Sequence, residues 1–331
     1  MSRAPTGSER QEARVLRTVH VGLGTIGQLC LRAAANRPGI RIVGAIDPHP
    51  DLVGRDAGTL AGLGRPLGLR VEPDWTGVPE ADVAIVCTTS RLVDLREPIG
   101  AALARGLDVV STCEELVAPP IDSPEAQELD GLARRAGRSV LGAGVNPGFV
   151  MDALPLVLSA AMLDLEAVRV RRVVDVRTRR PQLAAKTGVG LTPAEFETRL
   201  MRGEVGHVGL AASARLLAAG LGWEIETLGE AVRPLPRADG RCSGVHQELR
   251  ALVGGVPRIV LELTIAEAVA APGDTIWLDG TPPLEWRITP ATPGEEATCA
   301  LVVNVALGLA ALPAGLRTMV DLVPLRYRER R

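Results

Sequence analysis

Val19-His20-Val21-Gly22-Leu23-Gly24-Thr25-Ile26-Gly27, followed after the apolar run Ile40–Ile46 by Asp47, is the stretch that decides the fold. Gly22 lets the chain turn sharply off a strand, and Gly24 leaves bare backbone for a pyrophosphate. Gly27 lets the next helix lie close to the sheet, with its N-terminus facing the phosphates. An acid closing the second strand accepts hydrogen bonds from the adenosine ribose diol and repels a 2′-phosphate. The glycines alone are a weak signal. With a strand before, a helix after and an acid at this distance, they point to a dinucleotide. The expected contacts are Gly22, Leu23, Gly24, Thr25, Ile26 and Gly27 at the phosphates and Asp47 at the ribose. Pro48-His49-Pro50 follows Asp47 with no adjacent arginine. NAD is therefore favoured, with NADP as the alternative.

Bulk properties narrow the class. The chain has 331 residues, enough for two domains or one elaborated domain. Lys plus Arg is 37 and Asp plus Glu 39, a net charge of -2, which argues against an electrostatic nucleic-acid binder. Cys30, Cys87, Cys113, Cys242 and Cys299 are scattered without a CxxC pair. Neither a disulfide framework nor a metal site is expected, and a reduced cytoplasmic setting fits. Met1–Arg14 is polar and reads as a loose tail and not a signal peptide. Cys299–Leu312 contains Asn304 and is shorter than the roughly 20 residues of a membrane span. A soluble protein with no membrane contact is expected.

Strand-like and helix-like stretches alternate in the first part. Strands are expected at Arg17–Val21, Arg41–Ile46, Val83–Cys87, Asp108–Ser111 and Ser139–Gly142, and helices at Ile26–Asn36, Leu92–Arg105 and Ser123–Ala136. That order implies a doubly wound parallel sheet of Rossmann type, with ligands beyond the carboxyl ends of its strands. After Pro147 the pattern changes. A helix at Val150–Met162 leads into an alternating strand at Ala167–Val176. Helices at Pro193–Arg202 and Leu210–Leu221 precede five strand-like runs between Glu224 and Ile288. Successive strands with short turns indicate a mostly antiparallel sheet, so the second domain is α+β. The expected division is a tail at 1–15, a dinucleotide-binding domain at 16–146 and an α+β substrate and dimerisation domain at 147–296. The segment 297–331 would pack back on the first domain.

The segments Ser111–Leu116, Gly144–Asp152, Lys186–Thr192, Gly206–Leu210 and Pro313–Met319 run across the chain in order. Through them the chain resembles the dihydrodipicolinate-reductase-like superfamily, in the branch of 2,4-diaminopentanoate dehydrogenase and the native NAD(P)-dependent amine dehydrogenases. The histidine pair and P-S-G-T turn of true dihydrodipicolinate reductases are missing. Arg179-Arg180-Pro181 and Gly188-Val189-Gly190 flank Lys186 instead. The resemblance implies reversible oxidative deamination of an amine to a ketone or aldehyde plus ammonia, and a homodimer. It leaves the particular amine open.

That chemistry needs a group that manages protons on nitrogen, and a carboxylate also stabilises a neighbouring iminium. By resemblance the group is Glu114 or Glu115, with Glu114 preferred. The competing reading makes Glu115 simply the start of a helix. Cys87, Thr88, Thr89, Cys113 and Asn146 follow strands and are expected at the cofactor, Asn146 at the nicotinamide carboxamide; ordinary turn chemistry is the alternative. Phe149, Lys186 (the single lysine) and His207 are candidate pocket residues. His20, His49 and His246 are read as structural or surface residues. Arg169, Arg171, Arg177 and Arg179 share strand parity, either to bind a substrate carboxylate or as a solvated, acid-paired face. With two Phe and one Tyr, the pocket is expected to be mainly aliphatic. Two alternatives accompany this reading: a 2,4-diaminopentanoate substrate, or a non-catalytic NAD-binding sensor.

Overall fold

The computed structural model describes residues 15–120, 122–178 and 184–322. Arg179 and nearly all of the expected N-terminal tail lie outside them. Strands β1 (Leu16–Val21), β2 (Ile40–Ile46), β3 (Val83–Val86), β4 (Asp108–Ser111) and β5 (Ser139–Gly142) stand where the sequence places strands. They form an all-parallel sheet in the order β12-β5-β4-β3-β1-β2, where β12 (Gly315–Arg317) is a late addition pairing with β5. Every residue of β3, β4 and β5 is buried, as a parallel sheet covered on both faces requires.

Helix α1 (Thr25–Ala35) follows β1, the short α2 (Ala57–Leu60) follows β2, and α3 (Arg96–Ala104) follows β3. Helix α4 (Pro124–Ala136) starts with Ser123, whose hydroxyl accepts from Ala126 N at 3.2 Å, and stops at Gly137 with φ 63°. Its buried Ala126, Leu129 and Ala133 lie on one face. The helix expected over Leu92–Arg105 is broken instead into a 3₁₀ turn, Leu92–Leu95, and α3. Pro98 explains the break. An α-helix restarting at Arg96 puts it in the first turn, where its missing N–H costs no bond. Pro155 similarly shortens the helix expected from Val150, leaving α5 (Ala153–Leu158).

The second sheet has the order β11-β10-β6-β9-β8-β7. It is built from β6 (Asp164–Asp175), β7 (Thr227–Pro236), β8 (Cys242–Val253), β9 (Val256–Ala266), β10 (Gly273–Thr281) and β11 (Leu284–Ile288). All neighbours are antiparallel except β6 and β9. Helices α6 (Pro193–Met201) and α7 (Leu210–Leu221) precede β7. α7 packs between α5 and the sheet. The fold class is thus as expected, a Rossmann-type sheet plus an α+β unit.

Helix α8 (Gly294–Gly308) returns to pack on α1, β4 and β3, and the short α9 (Met319–Leu322) follows β12. With its closing 3₁₀ turn, α8 makes an 18-residue helical run of mean hydropathy 1.3, longer than the Cys299–Leu312 stretch that the sequence marks as apolar. Length alone would let it span. A third of that run, including Cys299, Val302, Val303, Val305 and Ala306, is buried against the rest of the fold.

Candidate active site

The glycine loop has the geometry its sequence predicts. Gly22 has φ 87°, a conformation side chains disfavour. A Cβ on Gly27 would lie 1.9 Å from the Gly22 carbonyl oxygen, so helix and loop approach this closely only without one. A Cβ on Gly24 would meet nothing within 4 Å. Gly24 is also the N-cap of α1, and no side chain caps that helix end. Open backbone at a helix N-terminus is an anion site. Asp47 stands beside it: its carboxylate accepts from Leu23 N at 2.7 Å and His49 N at 2.9 Å. Each oxygen keeps a second lone pair for a ribose hydroxyl. Asp47→Ser is expected to raise the KM for NADH about tenfold, the loss of a charge-assisted hydrogen bond. Initial rates with varied NADH check this.

A cleft of about 470 Å³ opens between the loop and the second sheet. Gly24, Thr25 and Ile26 form one end; Cys87, Thr88, Thr89 and Ser90 follow β3; Thr112 and Glu114 follow β4; Gly144, Val145, Asn146 and Pro147 follow β5. The far wall comes from β6 (Arg172, Val174), β9 (Leu263, Ile265) and His207, and the rim from Gly294, Glu295 and Thr298 of α8. Strand ends therefore meet the second sheet at one place.

The two glutamates separate. Both belong to a 3₁₀ turn, Glu114–Leu116. Glu114 lines the cleft, and among the described residues no donor holds its carboxylate. Glu115 lies outside the cleft lining, and its Oε2 accepts from Leu92 N at 2.7 Å, satisfying the start of the Leu92–Leu95 turn. It also offers charge to Arg215, whose burial draws its pKa down. Glu115→Gln is expected to change kcat by less than about threefold while costing about 1 kcal/mol of stability, the value of one charge-assisted cap. Parallel rate and urea-melt measurements check both halves.

Asn146 precedes a cis Pro147. Its Oδ1 is buried without a hydrogen-bond partner among the described groups. Buried acceptors of this kind signal a ligand donor. The loop around it is pinned on both sides. Val145 N donates to Thr298 Oγ1 at 3.1 Å. Fully buried Asp152 accepts from Gly148 N (2.8 Å), Ala153 N (2.6 Å) and the Ser213 hydroxyl (2.6 Å). Burial pushes the Asp152 carboxyl pKa up, and these three donors oppose it.

His207 is held by a two-point clasp: its N donates to Gln247 Oε1 and its carbonyl accepts from Gln247 Nε2, both 2.8 Å. Burial lowers the imidazole pKa to about 4, assisted by the charges of Arg172 and Lys186 and opposed by the Asn146 backbone. The ring is neutral at neutral pH, and its Nε2 is buried without a partner among the described groups.

Other expectations need correction. Cys113 is fully buried in the core of the parallel domain, and its thiol is pushed up to about 12 by burial, so it does not face the cleft. The Leu23 side chain is buried under α1, leaving only its backbone near the loop. Phe149 packs against the large core, and Lys186 is exposed; neither lines the cleft. Arg169 and Arg171 lie on the outer face of the second sheet, Arg169 paired with Asp279 and both over the Trp277 ring. Arg177 pairs with Asp175.

The arginine that does reach the cleft is Arg172, on the opposite parity. It is 3 % exposed and donates to Asp274 Oδ1 (2.8 Å) and the Thr292 carbonyl (2.6 Å). A signal for it existed: Val168, Val170 and Val174 mark the inward face of β6, and Arg172 shares their register. Leu263, Ile265, Glu295 and Thr298 were also missed, since only the meeting of distant elements makes them neighbours.

The profile of a family described as the 2,4-diaminopentanoate dehydrogenase C-terminal domain matches residues 149–327, more than half of the sequence. The chain belongs to this family. As a member of the 2,4-diaminopentanoate dehydrogenase family, it is 26% identical over 333 residues to 2,4-diaminopentanoate dehydrogenase of Acetoanaerobium sticklandii, covering 93% of each protein. It is 27% identical over 355 residues to the amine dehydrogenase of Streptomyces virginiae, covering 94% of this chain and 97% of that one. The solved amine dehydrogenase of Mycobacterium smegmatis superposes with a TM-score of 0.79 at 26% identity, over 95% of this chain and 97% of that one. The branch assignment drawn from the sequence segments agrees with all three.

Proposed function

We propose that the protein is an NAD(P)-dependent amine dehydrogenase, converting an amine reversibly to a ketone or aldehyde plus ammonia. The observation that carries this reading is the Glu114 carboxylate, held by no donor among the described residues, in the same cleft as Asn146 and the open helix end. The residues fit a dinucleotide. The bare Gly24 backbone would hold its pyrophosphate, Asp47 its ribose, and Asn146 Oδ1 an amide donor of its carboxamide. When bound, NAD(H) supplies the hydride acceptor or donor. The chain supplies the rest. In the direction of amination, Glu114 binds ammonium, takes a proton so that the nitrogen becomes nucleophilic, and returns protons as water leaves the carbinolamine. Its negative charge, in a cleft walled by Val174, Leu263 and Ile265, lowers the energy of the cationic iminium. Neutral His207 presents Nε2 without adding a competing positive charge.

The decisive assay follows NADH loss with ammonium and a panel of ketones and aldehydes. Turnover that requires ammonium supports the reading. Turnover that is independent of ammonium, or cofactor binding without turnover as a sensor would give, contradicts it.

A diamino acid such as 2,4-diaminopentanoate is a second reading of the same chemistry. It is favoured by Arg172, a buried arginine that lines the cleft and pairs with Asp274. A KM for the diamino acid well below that of a matching amine without the carboxylate would select it. We also propose a homodimer formed through the outer face of the second sheet, around Arg169, Arg171 and Trp277, testable by sedimentation, and a cytoplasmic setting. The functional division proposed is 16–146 for cofactor and 147–296 for substrate, with the segment from 297 completing the first unit through α8 and β12.

A further inference from the structure

Three cysteines that the proposed chemistry does not use converge behind the cleft. Cys30 lies in the middle of α1 and Cys299 in the first turns of α8. Their Sγ atoms are 3.4 Å apart and both residues are buried, though 269 positions separate them in sequence. Cys87, half-buried, lies in the cleft lining at the end of β3. It packs against α1, where a Cβ on Gly27 would lie 3.5 Å from its own. Cys87 packs against the core cluster that holds Cys30 and Cys299, and among the described residues the thiol–thiol hydrogen bond is that of Cys30 with Cys299. The three thiols thus run as a chain from the cleft into the core.

We propose that this chain is an oxidation site: a peroxide entering the cofactor cleft oxidises Cys87, and the oxidation passes inward to form a Cys30–Cys299 disulfide joining α1 to α8. The steps balance. Cys87 sulfur attacks hydrogen peroxide, breaking O–O and giving Cys87 sulfenic acid and water. Cys30 thiol attacks that sulfur, expels the second water and forms a Cys87–Cys30 disulfide. Cys299 then attacks Cys30 sulfur, and its proton goes to the departing Cys87 thiolate. Two thiols are oxidised and one peroxide is reduced to two waters. The hydrogen bond shared by Cys30 and Cys299 lowers the Cys299 pKa and raises that of Cys30, so Cys299 is the readier thiolate of the pair and suits the final attack. Only a small approach of the sulfurs is needed to reach the roughly 2.05 Å of a disulfide. The bond joins the helix that carries the pyrophosphate end to the helix that carries Glu295 and Thr298, so one end of the cleft and its rim become covalently tied.

The test uses the intact wild-type protein, treated with stoichiometric hydrogen peroxide, digested without reductant and mapped by mass spectrometry. The expected result is a Cys30–Cys299 cross-linked peptide, reversed by dithiothreitol and formed several-fold more slowly with saturating NADH or in Cys87→Ala. Because the bond closes so long a loop, the oxidised protein should also melt on the order of 5 °C higher. Peroxide that takes Cys87 to higher oxides while Cys30 and Cys299 stay reduced would overturn the site. A cross-link forming as fast with NADH bound and in Cys87→Ala would overturn the route through the cleft.

Discussion

Glu114→Gln is expected to lower kcat for reductive amination by about 10²–10⁴-fold, the usual contribution of a positioned proton-transfer group. The amide keeps the size and one acceptor but loses the charge and cannot take a proton. Glu114 is placed for the role by its surroundings. β4 ends in the fully buried Ser111, whose hydroxyl accepts from Cys113 N at 3.2 Å, and the chain then turns so that Glu114 faces the cleft while its neighbour faces Leu92. The KM for NADH should change little, because Asp47 and the glycine loop lie at the other end of the dinucleotide site. Stopped-flow traces of the pre-formed NADH complex separate the two effects. A Glu114→Gln enzyme within tenfold of wild type would remove the carboxylate from the chemistry.

The second large effect is acid destabilisation centred on two histidines. His20, on β1 between Ala45 and Ile85 of the neighbouring strands, is 1 % exposed with neither ring nitrogen partnered among the described groups. Burial lowers its pKa to about 3, and that of His207 to about 4. Both folded values lie below the ordinary 6.5, so the unfolded chain binds more protons through this window. The stability from keeping them neutral is full above about pH 6.5 and is lost as pH falls toward the folded values. Between pH 7 and pH 5 the two together should cost about 4 kcal/mol. Urea melts across that range measure it, and His20→Leu should remove about half of the slope. An unchanged slope in that variant would refute the assignment.

Much of this was legible in the sequence, for reasons that show where legibility ends. β1, β2 and the glycine loop are local: the apolar run, the three glycines and Asp47 each report their own surroundings, and the structure places them together. The strand ends that line the cleft followed from the topology rule, which needs only strand positions. Side-chain direction within a turn was not local. Nothing in Cys113-Glu114-Glu115 reveals that the first faces the core, the second the cleft and the third Leu92. Arg172 was misjudged for a different reason. Its outward neighbours Arg169 and Arg171 made one arginine face stand out, although the valine register marked Arg172 as inward. β12 was missed because three residues after a proline carry almost no pattern. Glu295 and Thr298 reach the site only because α8 packs on α1, a long-range contact that no sequence window contains.

The most direct test supplies the enzyme with heavy-nitrogen ammonium, NADH deuterated at C4 and a carbonyl substrate, and weighs the product. An amine carrying both the heavy nitrogen and one deuterium on the former carbonyl carbon is the predicted outcome. A deuterated alcohol, or carbonyl and NADH recovered intact from a chain that binds the cofactor, would contradict the account.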